Sequence, residues 1–300
     1  MTPPDTAGIA QARQRAILLL LAASATFALA AGAVKELGGA IPLAQVILAR
    51  NLFALPFLLL LVARSGGFAM LRPRAPGMHA LRTLFGMMGM VGAFASYTWL
   101  PLATATVLGF TMPLFLTALS VVILRERVGW RRWSAVVVGF LGVLLVARPG
   151  AAAEALPLVP VLLALLGGLG WALAMMTIRR LGDAGEPGVT IVVWFAIGAA
   201  LVSGIATIPV WVTPDGKQWL LLIGIGAVSA LAQLLMTEAY RRGETTLLAP
   251  FEYAGLIWTM AMGALIWGEV PGVTDLLGFA VLVGAGLFIW WRETRLGVRR

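Results

Sequence analysis

The sequence predicts an all-α integral membrane protein with ten transmembrane helices arranged as two inverted five-helix repeats. Three observations carry this expectation. The chain resolves into ten apolar runs with no gap long enough for a water-soluble domain. Its Lys and Arg residues fall almost wholly in alternate gaps between those runs. Its second half repeats its first at an offset of 143 positions, with Tyr97 on Tyr240, Ala118 on Ala261, Ile123 on Ile266, Glu126 on Glu269 and Gly129 on Gly272.

Composition identifies the solvent. Of the 300 residues, 60% are hydrophobic and 12% charged, and the mean hydropathy is +0.95. Soluble domains carry about 25% charged residues, so this chain lacks the polar surface to face water all round. The net charge is +9. Its Arg residues lie in short clusters between apolar runs, not on one face, which speaks against nucleic acid as a partner. Cys is absent, which excludes disulfides, thiolate catalysis and Cys-ligated metal. His79 is the sole histidine, so no metal site and no cofactor are expected.

A spanning helix needs about 20 mostly apolar residues. The predicted spans are, in order, Ala16–Val34, Leu43–Val62, Leu81–Leu100, Ala103–Leu124, Trp133–Val146 with its flanks, Leu158–Ile178, Val189–Val212, Trp219–Ala239, Thr246–Trp267 and Thr274–Trp291. The first run also resembles a signal peptide, with Arg13 and Arg15 ahead of it and Ala28-Leu29-Ala30 near its end. It is long for one, and it recurs: Phe27-Ala-Leu-Ala30 matches Trp171-Ala-Leu-Ala174. It is therefore read as a helix.

With the N-terminus inside, eighteen Lys and Arg residues fall in inside segments and only Lys35, Arg148 and Lys217 in outside loops. This imbalance predicts both termini on the cytoplasmic side of the inner membrane. The expected organisation is a cytoplasmic tail (1–15), a first repeat (16–150), a second repeat (151–292) and a basic cytoplasmic tail (293–300). Five helices per repeat is an odd number, so the second half enters the membrane upside down relative to the first. Inverted repeats with broken helices suit a transporter, whose halves can exchange conformations.

Charges inside a span are costly and functional by default. Arg50 stands about 10 Å along the second run from its outer end, and Glu252 about 9 Å along the ninth from its inner end. In the functional reading Arg50 holds a carboxylate or phosphate of a substrate, and Glu252 binds a cationic group or takes a proton. In the plain reading each is satisfied by backbone or by neighbours such as Asn51, Gln45 or Tyr253. Glu238 precedes Arg241 and Arg242 at helix spacing, so a helix-end ion pair explains it. Gly109, Pro113, Pro209 and Pro250 fall within predicted spans and mark helix breaks. Beside them, Thr104, Thr106, Thr111 and Gln233 are candidates to line a polar cavity. Tyr97, Phe110, Trp171, Trp194, Tyr253 and Trp258 are candidates to pack on a substrate. Gly86, Gly89, Gly92, Gly139 and Gly142 read as close helix contacts.

Enzyme signatures are missing. There is no G-x-x-x-x-G-K-[ST], so the chain carries no P-loop for ATP-driven transport. There is no G-x-S-x-G and no H-E-x-x-H.

The run Tyr97-x-x-Leu100-Pro101-Leu102-Ala103, then Gly109-Phe110-x-x-Pro113-Leu114-Phe115, Glu126, Gly139-Phe140-x-Gly142-Val143 and Arg148-Pro149-Gly150 resembles the drug/metabolite transporter superfamily. More narrowly it resembles the EamA-domain transporters. The second half repeats the pattern with Ala239-Tyr240, Ala249-Pro250-Phe251-Glu252-Tyr253, Gly268-Glu269 and Gly278. The resemblance implies ten helices around a central cavity and movement of small metabolites without ATP hydrolysis. Gln45-x-x-x-x-Arg50-Asn51 is similar to the arginine segment of the second helix in that family. Members export amino acids or amino-acid-derived metabolites, metallophores included, while others take up riboflavin or S-adenosylmethionine. The expected function is secondary transport of a small polar metabolite, with export favoured over uptake and a proton as a candidate coupling ion. The other expected partner is membrane lipid. The rival classes are a membrane-embedded enzyme, against which the acids are scattered, and a purely structural subunit.

Overall fold

The structure is a computed structural model and describes residues 6–123, 129–148, 155–242 and 251–296. Those residues are helical and contain no strand. The helices are α1 (Thr6–Glu36), α2 (Leu43–Ser65), α3 (Pro76–Trp99), α4 (Leu102–Gly109), α5 (Met112–Ile123), α6 (Trp130–Ala147), α7 (Leu158–Asp183), α8 (Gly188–Thr207), α9 (Gly216–Arg242), α10 (Ala254–Trp267) and α11 (Val273–Leu296). Short 3-10 turns follow α2 (Phe68–Leu71) and α8 (Ile208–Val210).

Proline sets many of the helix starts. Pro42, Pro101, Pro157 and Pro187 stand immediately before α2, α4, α7 and α8, and Pro76 is the first residue of α3. Proline has no N–H to lose there, and its fixed φ suits a helix entrance. Gly268 closes α10 at φ 66°, with its N–H bonded back to the Gly263 carbonyl, a left-handed stop that favours glycine.

The fourth predicted run is one span in two pieces. α4 ends at Gly109, and the Phe110 N–H bonds to the Thr106 and Val107 carbonyls at 3.2 and 3.0 Å. α5 then begins at Met112 with Pro113 in its first turn. Pro113 thus opens a helix instead of kinking one. Pro209 lies in the 3-10 turn that follows α8 and ends the apolar span Gly188–Val210. Pro56 lies inside α2, which continues through it unbroken from Leu43 to Ser65. The largest boundary shift is in α1, which starts at Thr6, ten residues before the expected Ala16; α3 also starts early. That helix starts at Pro76, five residues before the expected Leu81, so Arg82, the second residue of the expected span, lies well inside it.

Among the described residues seven helices, α4 and α5 counted as one, are long and apolar enough to cross a membrane, and the stretches Trp133–Ala147 and Ala254–Trp267 are apolar but shorter. Large apolar side chains such as Leu60, Leu162, Leu201, Ile205, Leu220 and Leu265 face outward from the bundle, as lipid requires.

Helix pairing has a two-fold pattern. The third helix of each half packs on the first helix of the other, α3 on α7 and α9 on α1. The second helices pair with each other (α2 with α8), as do the last (α6 with α11) and the broken ones (α4 with α10). Glycines permit the closest seam. A Cβ on Gly92 would collide with the Leu163 carbonyl and the Gly167 backbone, and one on Gly170 with the Gly89 backbone. Small residues of this kind let helix backbones touch in a medium that offers no hydrophobic drive.

Candidate functional site

Two groups of predicted residues meet in the interior, and others do not join them. The first group lies between α2, α3 and α8. Arg50, half-buried on α2, donates from Nη1 to Asn51 Oδ1 at 3.3 Å and lies 3.8 Å from the sulfur of Met90 on α3. Asn51 is buried, donates to the Ile47 carbonyl at 2.8 Å and also approaches the Met90 sulfur at 3.7 Å. Both side chains are therefore held against α3 from one turn of α2.

Arg82 counts among the eighteen inside cations of the sequence, and the structure shows where its side chain goes. It sits on the seventh position of α3, with Cζ 4.1 Å from the centre of the Phe195 ring on α8. A Cβ on Gly86 would collide with Arg82 Nη1 and with the Phe195 ring. The missing Gly86 side chain is thus what gives the guanidinium its room. Arg82 Nε and Nη1 are shielded from solvent and have no hydrogen-bond partner among the described residues. Arg82 and Arg50 interact electrostatically, cation against cation. Neither has a carboxylate partner among the described residues. The glycine four positions after Arg82 was the signal in the sequence that separated this arginine from its loop neighbours.

The second group lies where the two broken spans cross. Phe110, at the α4–α5 break, meets Tyr253 edge to face, with ring centres 4.9 Å apart and planes at 66°. Glu252 precedes Tyr253 and acts electrostatically on it. Tyr253 Oη lies against the backbone of Gly286 on α11, where a Cβ would displace it. Thr111 is fully buried, donates to the Leu108 carbonyl at 2.7 Å and lies against Gly168 of α7. Tyr97 is half-buried and packs on both the α1–α2–α9 core and the α4–α6–α11 core. Pro250 and Glu126 lie outside the described residues.

The remaining candidates stand elsewhere. Gln45 is buried at the end of α2, where its amide both donates to the Val212 carbonyl (2.8 Å) and accepts from the Val212 N–H (3.1 Å). Trp194 donates from Nε1 to the Leu71 carbonyl at 2.8 Å, near the opposite end of the bundle. Trp171 is 47% exposed on the outside of α7. Trp258 donates to Ser24 Oγ at 3.1 Å and so links α10 to α1. Gln233 is half-buried within α9.

The two ends of the bundle differ in chemistry. At one end Lys35 pairs with Glu269 at 2.7 Å and donates to the Leu100 carbonyl at 2.9 Å. Glu269 also accepts the Leu102 N–H at 2.8 Å. These bonds tie α1, the α3–α4 turn and the α10 exit together. Two further pairs at that end, Lys217–Glu36 and Arg148–Asp275, are each 2.7 Å. At the other end Glu186, in the α7–α8 turn, accepts the N–H groups of Arg74 and Ala75 at 2.5 and 3.2 Å and lies 3.2 Å from His79 Nε2. Burial pushes the Glu186 carboxyl up, but the two backbone N–H groups and His79 outweigh it, leaving it below the ordinary carboxylate value.

This constellation has guanidiniums inside a lipid-facing bundle, two crossing broken spans and ion pairs closing one end. It suits binding and passage of a polar solute more than bond-making chemistry. Among the described residues no cluster could hold a metal ion. Residues 14–148 and 158–291 both match the EamA-like transporter family. The chain belongs to that family. It is a multi-pass secondary transporter of small molecules, not an enzyme.

Relatives within this transporter group carry different cargoes. A riboflavin transporter of Vibrio cholerae is 33% identical over 75% of this chain and 75% of its own length. The pseudopaline exporter CntI of Pseudomonas aeruginosa is 30% identical over 90% of this chain and 93% of its own. An S-adenosylmethionine uptake transporter of Rickettsia felis is 29% identical over 77% of each. A crystal structure of a protein 22% identical to this EamA-like chain superposes with a TM-score of 0.62 over 97% of this chain and 99% of that one, which shows a shared fold.

Proposed function

We propose that this chain moves an amino-acid-like or amino-acid-derived metabolite, metallophore-type molecules included, out of the cell across the inner membrane by alternating access. The observation that carries the substrate class is Arg50, a guanidinium held in mid-span by Asn51 and Met90 with no carboxylate beside it among the described residues. Such a cation is matched by a carboxylate-bearing solute. Export is supported by the pseudopaline exporter, with which the alignment runs over nearly the whole of both chains.

In this reading both termini are cytoplasmic, and the Lys35–Glu269 end faces outward. The structure then has its outer end tied shut. Glu252, at the crossing of the broken spans, carries the coupling proton or meets a cationic part of the substrate. Replacing it by Gln is expected to abolish the pH dependence of transport while membrane abundance is kept; unchanged pH dependence would remove Glu252 from coupling.

The direct test compares cells overproducing the protein with cells lacking it, profiling small molecules in medium and cytoplasm. A metabolite that accumulates in the medium and falls inside supports export and names the cargo. A solute that rises only inside overturns export in favour of uptake, for which riboflavin and S-adenosylmethionine are the first solutes to assay.

A further inference from the structure

A lone arginine near the end of a membrane helix has two reasons to reach back toward the nearer interface. Water lies there, and helical side chains tilt toward their own N-terminus. For Arg82 both point to the Glu186 end. The side chain goes the other way. Its Nη1 fills the space over Gly86, four residues further into the membrane, and its Cζ sits over the Phe195 ring. Gly86 lies about 15 Å along α3 from the Pro76 end, and Met90, which Arg50 touches, about 6 Å further. The helix is 24 residues long, so both guanidiniums stand near its middle, about one turn apart. No carboxylate neutralises either among the described residues, and Arg82 Nε and Nη1 have no partner there.

Two like charges held together in a low-dielectric bundle repel and are costly to desolvate. Phe195 and the Met90 sulfur offset little of that. An anion with two or more oxygens would satisfy both guanidinium forks at once.

We infer that Arg82 and Arg50 together form one binding site for an oxyanion group, a carboxylate or phosphate, of the transported solute. This rests on the transporter reading above and narrows its cargo to organic anions. Arg50 holds the group from α2 and Arg82 from α3. Because α2 and α3 both pack against α8, binding draws together helices that flank the pathway.

The test uses the full chain in lipid nanodiscs, with thermal unfolding followed in citrate, in inorganic phosphate, and in sodium chloride of matched ionic strength. Citrate, phosphate or both should raise the midpoint of the unsubstituted chain beyond the chloride control, and the one that does so identifies the oxyanion. In R50Q and in R82Q the apparent affinity should each fall at least about tenfold, which is about 1.4 kcal/mol. R82K should recover part of it. The anion-free midpoints show that the variants are folded. No shift in the unsubstituted chain, or an R82Q response equal to it, overturns the pair. Cellular metabolite profiling separates the two claims. Undiminished export by R82Q leaves the transporter standing and removes the anion site. Arg82-dependent citrate binding with no solute movement in cells does the reverse.

Discussion

Tyr253 follows Phe110 by 143 positions, the offset of the sequence repeat, and the two rings touch at 4.9 Å. Equivalent residues of the two halves thus meet each other at the break in their own spans. A contact between symmetry mates can lie only on the axis that relates them, so this aromatic pair marks the centre of the duplication. The G-F and E-Y dipeptides that bend the two spans are also what joins them.

The pair leads to a rescue experiment. G286A is expected to force Tyr253 aside, because the new methyl group meets Tyr253 Oη. Overpacking of this kind costs about 1–3 kcal/mol. Adding Y253F removes the colliding oxygen and should restore most of the unfolding temperature and of the transport rate. A double variant no better than G286A would place the damage elsewhere.

The α3–α7 seam is less forgiving. At Gly92 the obstacle is backbone, the Leu163 carbonyl and Gly167, which cannot swing away as a side chain can. G92A should lower stability by about 1–3 kcal/mol, read as a lower thermal midpoint in detergent. G284A, where a methyl group meets nothing within 4 Å, should leave it unchanged.

The closed end can be opened by charge. E269Q weakens the pairing with Lys35 and the acceptor for the Leu102 N–H. Because the chain has no native Cys, a single T98C reports access at that end. Labelling by a membrane-impermeant maleimide should be at least about tenfold faster in E269Q than with Glu269 intact, a shift of about 1.4 kcal/mol toward the open state. Equal rates would show that this ion pair does not hold the end shut.

Acid should release the opposite end. The Glu186 carboxyl is held below its ordinary value by the Arg74 and Ala75 N–H groups and His79. A depressed folded pKa means that the stabilisation is fully present above the unfolded value, about 4.3, and is lost as pH falls through the folded one. The protection of the Arg74 and Ala75 amides, their exchange relative to the intrinsic rate at each pH, should therefore hold at neutral pH and be lost once the pH falls below the ordinary carboxylate value. E186Q should flatten that profile.

The fold was largely legible because lipid imposes a coarse rule. Each span must be a long apolar run, and its flanking charges alternate between sides. That rule works on segments and is blind to single side chains, which is why it counted Arg82 only as one more inside charge. Arg82 looks like any interfacial arginine until the Gly86 gap and the Phe195 ring are seen beside it. Gln45 shows the opposite limit. Its position one helix turn and a half before Arg50 suggested a shared site, but a buried amide goes where a backbone needs partners, and Val212 supplies both. The sequence pairs residues 143 apart, and the family match to both halves agrees with a duplication. That Phe110 and Tyr253 would also be neighbours required the three-dimensional crossing.

The exchanged pairing of α3 with α7 and of α9 with α1 has a consequence for how the protein is made. α3 ends at Trp99 and its partner at Asp183. At roughly 5–20 residues per second, a ribosome needs about 4 to 17 s to supply the one after the other. For that interval the glycine face of α3 sits in the bilayer without its mate. Insertion machinery must shelter it, and membrane proteases have that long to read an unmatched seam as damage. A message truncated after the first repeat should therefore yield not half a transporter but a substrate for degradation.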